Sequence, residues 1–195
     1  MEHQNYELEL PAGYVEAYSV DAKENKRTVI LFTVVSMLIT AAGIAASFFL
    51  IRPQGFPENF SFVKLGLIGA AQIIYVVLHE LTHGAAYKLL TRQKLSFGLT
   101  LTVAFCGVPE IYVYRRAAMI ALLAPVTVFT LIYGGAVLLL PDAWDKGFAA
   151  MLLWMHIGGC VGDLHNTLLY LTRFRDPKTL MRDTGPKQTF FSVEK

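Results

Sequence analysis

Four stretches of this chain, residues 29–51, 65–87, 117–140 and 148–171, are apolar almost without interruption and long enough to cross a bilayer. About 20 residues of helix span the hydrocarbon, so the pattern predicts four transmembrane helices. A hydrophobic content of 54% and a mean hydropathy of +0.46 agree with lipid as the main solvent. The predicted fold class is an all-α membrane protein, a four-transmembrane-helix bundle with a small β-hairpin between helices 2 and 3.

Charge gives the bundle an orientation. Fourteen of the seventeen Lys and Arg residues lie before the first stretch, between the second and third, or after the fourth; only Arg52, Lys64 and Lys146 lie elsewhere. The basic bias of short loops marks the cytoplasmic side, which puts both termini in the cytoplasm of a bacterial or organellar multi-pass protein. Residues 1–28 carry six acids and lack the apolar core of a cleavable signal, so they are expected to be a cytoplasmic segment ahead of an uncleaved anchor. Residues 172–195 are basic and interrupted by Pro177, Gly185 and Pro186, which predicts an extended cytoplasmic tail at the lipid surface. A net charge of +2, with no basic run interleaved with aromatics, excludes a nucleic-acid partner. Cys106 and Cys160 form no CxxC pattern and read as buried packing residues. The oligomeric state has no signature in the sequence.

The loop between the second and third spans follows a different period. From Leu95 to Phe105 the odd positions are apolar and the even positions small or polar, an alternation of two that predicts a strand. After a turn at Gly107, Val108 and Pro109, residues 111–114 are again strand formers, giving a hairpin over 95–114. An open sheet edge cannot face lipid, so the hairpin belongs at the interface or beside a wet cavity. The alternation Tyr6, Leu8, Leu10 suggests one further strand.

Within the four spans the only Asp, Glu, Lys, Arg or His residues are His79, Glu80, His83, His156, Asp163 and His165, all on the second and fourth. An ionised group at the centre of a bilayer costs about 2.5–3.5 kcal/mol even on insertion scales, so such groups face a bundle interior and serve a function. His79 and His83 are four residues apart on a helix, so both imidazoles leave one face and reach one metal ion. The run His79-Glu80-Leu81-Thr82-His83 is the H-E-x-x-H pattern, in which the glutamate stands beside a zinc-held water. A catalytic zinc commonly takes a third protein ligand and keeps one open position. Asp163 lies 15 residues beyond the outer end of its span, a depth matching the 14 and 18 residues of His79 and His83. It ranks first as the third ligand, with His165 next; His156 sits about 10 Å too shallow by helical rise.

These residues resemble a known group. HELTHG late in the second span, Leu123-Ala124-Pro125 in the third and Gly162-Asp163 in the fourth look like the bacterial zincin-type peptidases related to the site-2 intramembrane metalloproteases. The resemblance implies zinc as cofactor, His79, His83 and Asp163 as its ligands, Glu80 as the catalytic glutamate, and a membrane protein or peptide as substrate. It departs at Leu164, where the site-2 proteases usually carry glycine after their aspartate. Asn166, His156 and His165 are candidates for a supporting role around the ligands. The expected function is a zinc metallopeptidase hydrolysing peptide bonds in or beside the membrane, with Glu80 as general base. Two alternatives use the same residues: a non-catalytic metal-binding scaffold or transport accessory, and a membrane peptidase acting on soluble peptides.

Overall fold

The structure is a computed structural model that describes residues 5–52, 62–99 and 104–194. Its elements in chain order are β1 (Tyr6–Glu7), β2 (Tyr14–Asp21), α1 (Lys26–Ile51), α2 (Phe62–Thr91), β3 (Ser96–Leu99), β4 (Ala104–Gly107), β5 (Tyr112–Tyr114), α3 (Arg115–Leu139), α4 (Ala143–Gly159), α5 (Val161–Thr172), β6 (Leu180–Asp183) and β7 (Lys187–Val193). The expected all-α four-helix bundle is thereby corrected. Five helices accompany a five-stranded antiparallel sheet, ordered β1-β5-β6-β7-β2, and a separate two-stranded sheet of β3 and β4.

Three of the sheet's five strands do not announce themselves alone, while β2 and β7, of eight and seven residues, are long enough to be read but are broken by turns and charges from their neighbours. β1 has two residues and β5 three, too few for a period of two to register, and β6 and β7 flank a turn containing Gly185 and Pro186. Each strand is fixed instead by partners far away in sequence: Tyr6 opposite Val113, Val113 opposite Met181, Met181 opposite Phe190 and Phe190 opposite Tyr18. The hairpin expected over 95–114 is corrected as well. Pairing runs inside it, Ser96 against Gly107 and Leu99 against Ala104, while β5 leaves for the larger sheet. Residues 100–103 of the expected strand lie outside the described residues.

The helices follow the apolar stretches with shifted ends. α1, α2 and α3 are each long and apolar enough to cross a membrane, and the bent pair α4 and α5 makes a fourth crossing if it counts as one. Asn25 caps the start of α1 and Asp142 that of α4, each side-chain oxygen accepting from N–H groups of the first turn. The fourth stretch breaks at Cys160, whose N–H is shared between the carbonyls of His156 and Ile157. The helices carry apolar residues on nearly every face, and Phe49, Leu50 and Leu139 are about four-fifths exposed, at 79%, 83% and 84%. Contiguous apolar surface of that kind marks a face that meets a membrane or a partner.

The chain divides into two compact units. One comprises residues 32–78 and 126–161. There α1 and α4 approach closely: a Cβ at Gly43 would collide with the Trp154 ring, and one at Gly158 with Thr40 and the Ser36 carbonyl. Trp154 donates from its indole to Ser47 Oγ at 2.9 Å.

The other unit comprises residues 1–31, 79–125 and 162–195 and contains both sheets, the end of α2, the start of α3 and nearly all of α5. Its core includes Tyr87, Ile111, Val113, Leu180, Met181 and Phe190, all under 2% exposed. Phe174 stacks on Phe190 at 4.9 Å between centroids and Tyr170 meets Phe190 edge-on at 5.1 Å. The segment expected to be a loose tail thus supplies two adjacent strands of the sheet and part of this core. Phe190→Ala is expected to lower stability by about 3–5 kcal/mol, the usual cost of emptying a buried aromatic site; a melting temperature equal to wild type would show that the C-terminal strands are not packed.

Candidate metal centre

The second half of α2 brings His79, Glu80 and His83 into the unit that holds the sheets. Four-residue spacing puts the two imidazoles on one face, with ring centroids 4.8 Å apart and the planes at 76°. Both residues are buried, each at 7% exposure. Asp163 arrives from the first turn of α5, just past the break at Cys160, where the positive end of the helix favours a carboxylate. Its Oδ2 is 3.3 Å from His79 Nε2 and its Oδ1 3.4 Å from His83 Nε2, and the two Nε2 atoms are 3.1 Å apart.

His83 is held from behind by a broken helical bond. Its Nδ1 lies 2.8 Å from the carbonyl oxygen of Ala121. A carbonyl only accepts, so Nδ1 carries the hydrogen and Nε2 turns towards Asp163 and His79. Ala121 precedes Pro125 by four residues within α3. In an α-helix that carbonyl would take the N–H of residue 125, which proline does not have. The buried Pro125 therefore releases one acceptor, and His83 uses it to fix its tautomer, as the outer partners of metal-binding histidines do.

The donor set fits zinc. Tetrahedral zinc with nitrogen and oxygen ligands at about 2.0–2.1 Å has ligand-to-ligand edges of about 3.3 Å, and the separations here are 3.1, 3.3 and 3.4 Å. Three protein donors also leave a fourth position of the tetrahedron for water or substrate.

Glu80 stands next to this set without joining it. It is half-buried, one position round α2 from His79, and its carboxylate lies beside the backbone N–H of Cys106 in β4. The small sheet reaches the helix because residue 84 is glycine: a Cβ there would lie 2.7 Å from the Phe97 ring and 3.2 Å from Leu95 Cδ1. Burial, reinforced by the negative charges of Asp183 and Glu80, pushes the Cys106 thiol up to about 12. Its side chain lies outside the converging set.

Two of the remaining expected residues, His165 and Asn166, lie outside this set. His165, on α5 two residues beyond Asp163, lies outside it and is half-buried. The Asn166 amide donates to Gln188 Oε1 at 3.3 Å, turning towards β7. His156 belongs to the other unit, where its Nδ1 pairs with the Tyr75 hydroxyl at 2.7 Å and its Nε2 with Thr130 Oγ1 at 3.1 Å. The sequence reading did not find the Ala121 carbonyl or the Cys106 N–H, since backbone groups leave no residue-type signal. The first was nonetheless countable, four residues before an in-helix proline.

Pro125→Ala returns an N–H that competes with His83 for the Ala121 carbonyl. Zinc affinity, measured by chelator competition, is expected to fall about 10-fold, within the range for lost outer partners of metal ligands, while helix content is unchanged. Wild-type affinity would mean that His83 does not depend on the released carbonyl.

Residues 72–178 match the family described as "Putative zincin peptidase". No curated protein and no solved structure matches the chain. The matched segment runs from two turns of α2 before the H-E-x-x-H motif to just past α5, and so contains His79, Glu80, His83, Pro125 and Asp163. By that match over more than half its length, the chain belongs to this zincin peptidase family, with zinc as cofactor and zinc-dependent peptide hydrolysis as the general activity.

Proposed function

We propose that the chain is a membrane-embedded zinc metallopeptidase of the site-2 type, which cleaves peptide bonds of membrane proteins or peptides within or beside the bilayer. The observation that carries this reading is the convergence of His79, His83 and Asp163 at 3.1–3.4 Å, with the Glu80 carboxylate beside them. In this reading His79, His83 and Asp163 hold the zinc, and Glu80 is the general base. The cofactor's contribution when bound is Lewis acidity, which makes water a nucleophile near neutral pH and polarises a scissile carbonyl.

The chain's own residues do the rest. Glu80 takes a proton from the water as its oxygen bonds to the carbonyl carbon. It delivers that proton to the amide nitrogen as the carbon–nitrogen bond breaks, the usual reversal of a general base. The Cys106 N–H, beside the carboxylate, is placed to steady it between these two transfers. Ala121 keeps His83 in the tautomer whose Nε2 is free to bind. A helical substrate must unwind before its carbonyls are open to attack. Among the described residues β3 pairs only with β4, and its Phe97 and Leu99 are 49% and 78% exposed, so an extended peptide can add to its other edge next to Glu80.

Membrane placement is part of the same proposal, with four crossings, both termini in the cytoplasm and a bacterial cell membrane as the setting. The five-stranded sheet supports it, because β1 and β2 precede the first crossing, β5 lies between the second and third, and β6 and β7 follow the fourth. Strands can pair across those three segments only on one side of a bilayer, which requires an even number of crossings between them. Fourteen of seventeen Lys and Arg residues share that side.

Metal analysis of the purified chain should find zinc in wild type and Glu80→Gln but not in His79→Ala or Asp163→Ala. Peptide cleavage should fall by about 10²–10⁴-fold in Glu80→Gln, the range for losing a general base. Zinc retained together with undiminished function in Glu80→Gln would favour a non-catalytic metal protein. Cut sites confined to extramembrane peptides would rule against an intramembrane enzyme.

A further inference from the structure

A buried polar chain lies behind the metal centre. Tyr87, one helical turn after His83 on α2, donates its hydroxyl to Asp183 Oδ2 at 2.7 Å. Asp183 closes β6; its Oδ1 accepts the Gly185 N–H at 2.9 Å and Gln188 Nε2 at 3.3 Å. Gln188, paired with Asp183 across the β6–β7 turn, then accepts at Oε1 from Asn166, one turn after Asp163 on α5. Asn166 Oδ1 has no hydrogen-bond partner among the described residues, so Gln188 supplies the hold on that amide. Tyr87, Asp183 and Asn166 are 1%, 3% and 3% exposed.

The two helices that present the converging side chains are thus tied, each one turn further on, to the same β-turn. The turn is itself constrained. Gly185 has φ +96°, a backbone conformation that favours glycine, and a Cβ there would strike the Phe105 ring. Val108 donates its N–H to the Asp183 carbonyl at 2.9 Å, which joins the same turn to the end of β4, the strand that contacts Glu80. Asp183 also lies close enough to His83 and Glu80 to interact with both electrostatically. A carboxylate placed there would otherwise be a poor choice, since a buried acid costs free energy unless its oxygens are fully hydrogen-bonded.

From this juxtaposition we infer that Asp183 is a positioning residue of the metal centre: through Tyr87 on one side and Gln188 and Asn166 on the other, it locks the His79–His83 face of α2 to the Asp163 turn of α5. The inference rests on the reading of His79, His83 and Asp163 as the zinc ligands. Burial raises the Asp183 carboxyl above its usual range and the three hydrogen bonds oppose that rise. The lock works through hydrogen-bond geometry in either protonation state, because Tyr87 donates to an oxygen that accepts in both.

The test uses the purified full chain, stripped of metal, with zinc affinity measured by chelator competition and the visible absorption of the Co²⁺-loaded protein as a report on ligand geometry. Tyr87→Phe and Asp183→Ala are expected to weaken zinc binding about 10–100-fold, as loss of outer partners of metal ligands does, and to alter the Co²⁺ bands. Asp176→Asn, an exposed change in the same C-terminal segment, should match wild type in both readouts. If Asp183→Ala does not fold, Tyr87→Phe, which removes a single oxygen, decides alone. Wild-type affinity and an unchanged spectrum in Tyr87→Phe would overturn the lock while leaving the zinc reading intact. Zinc binding in His79→Ala equal to wild type would instead overturn the zinc reading itself.

Discussion

Two imidazoles from one apolar helix and a carboxylate from another meet at 3.1–3.4 Å, and the architecture around them serves to hold that meeting. Such groups are costly in a low-dielectric interior unless they are paired or share a cation. Nothing in the apolar faces of α2 and α5 would bring these polar side chains together at that spacing. The directing forces come from hydrogen bonds and packing just outside the cluster.

Three devices supply them. A proline in α3 frees the Ala121 carbonyl, which points His83 Nε2 towards Asp163. A glycine at position 84 lets Phe97 and Leu95 press against α2, which brings the Cys106 N–H to the Glu80 carboxylate. The β6–β7 turn receives Tyr87 and Asn166 from the two helices through Asp183 and Gln188. The five-stranded sheet carries the β6–β7 turn as part of a framework built from three distant pieces of chain.

The helices and the motif were legible in the sequence because each has a strong local signature. Twenty-odd apolar residues in a row describe a helix long enough to cross a bilayer, and His79, Glu80 and His83 at helical spacing describe a donor pair with an acid beside it. Asp163 could be selected by counting depth along the fourth stretch. The short strands of the sheet were illegible for the opposite reason. β1, β5 and β6 have two, three and four residues, so their structure lies in their partners, not in their own pattern. The segment after Arg173 looked like a polar tail because Pro177, Gly185 and Pro186 interrupt it, yet those breaks delimit paired strands. Asp183 was invisible on the same grounds, as one acid in a segment expected to be solvated. Asn166 was chosen for its place one turn from Asp163, but its amide turns to Gln188.

X-ray absorption at the zinc edge of the purified chain tests the central claim most directly. The account predicts a four-coordinate first shell of nitrogen and oxygen at about 2.0–2.1 Å, with the outer-shell scattering of two imidazoles and no sulfur. A sulfur contribution at about 2.3 Å, or a shell with fewer than two imidazoles, would contradict it.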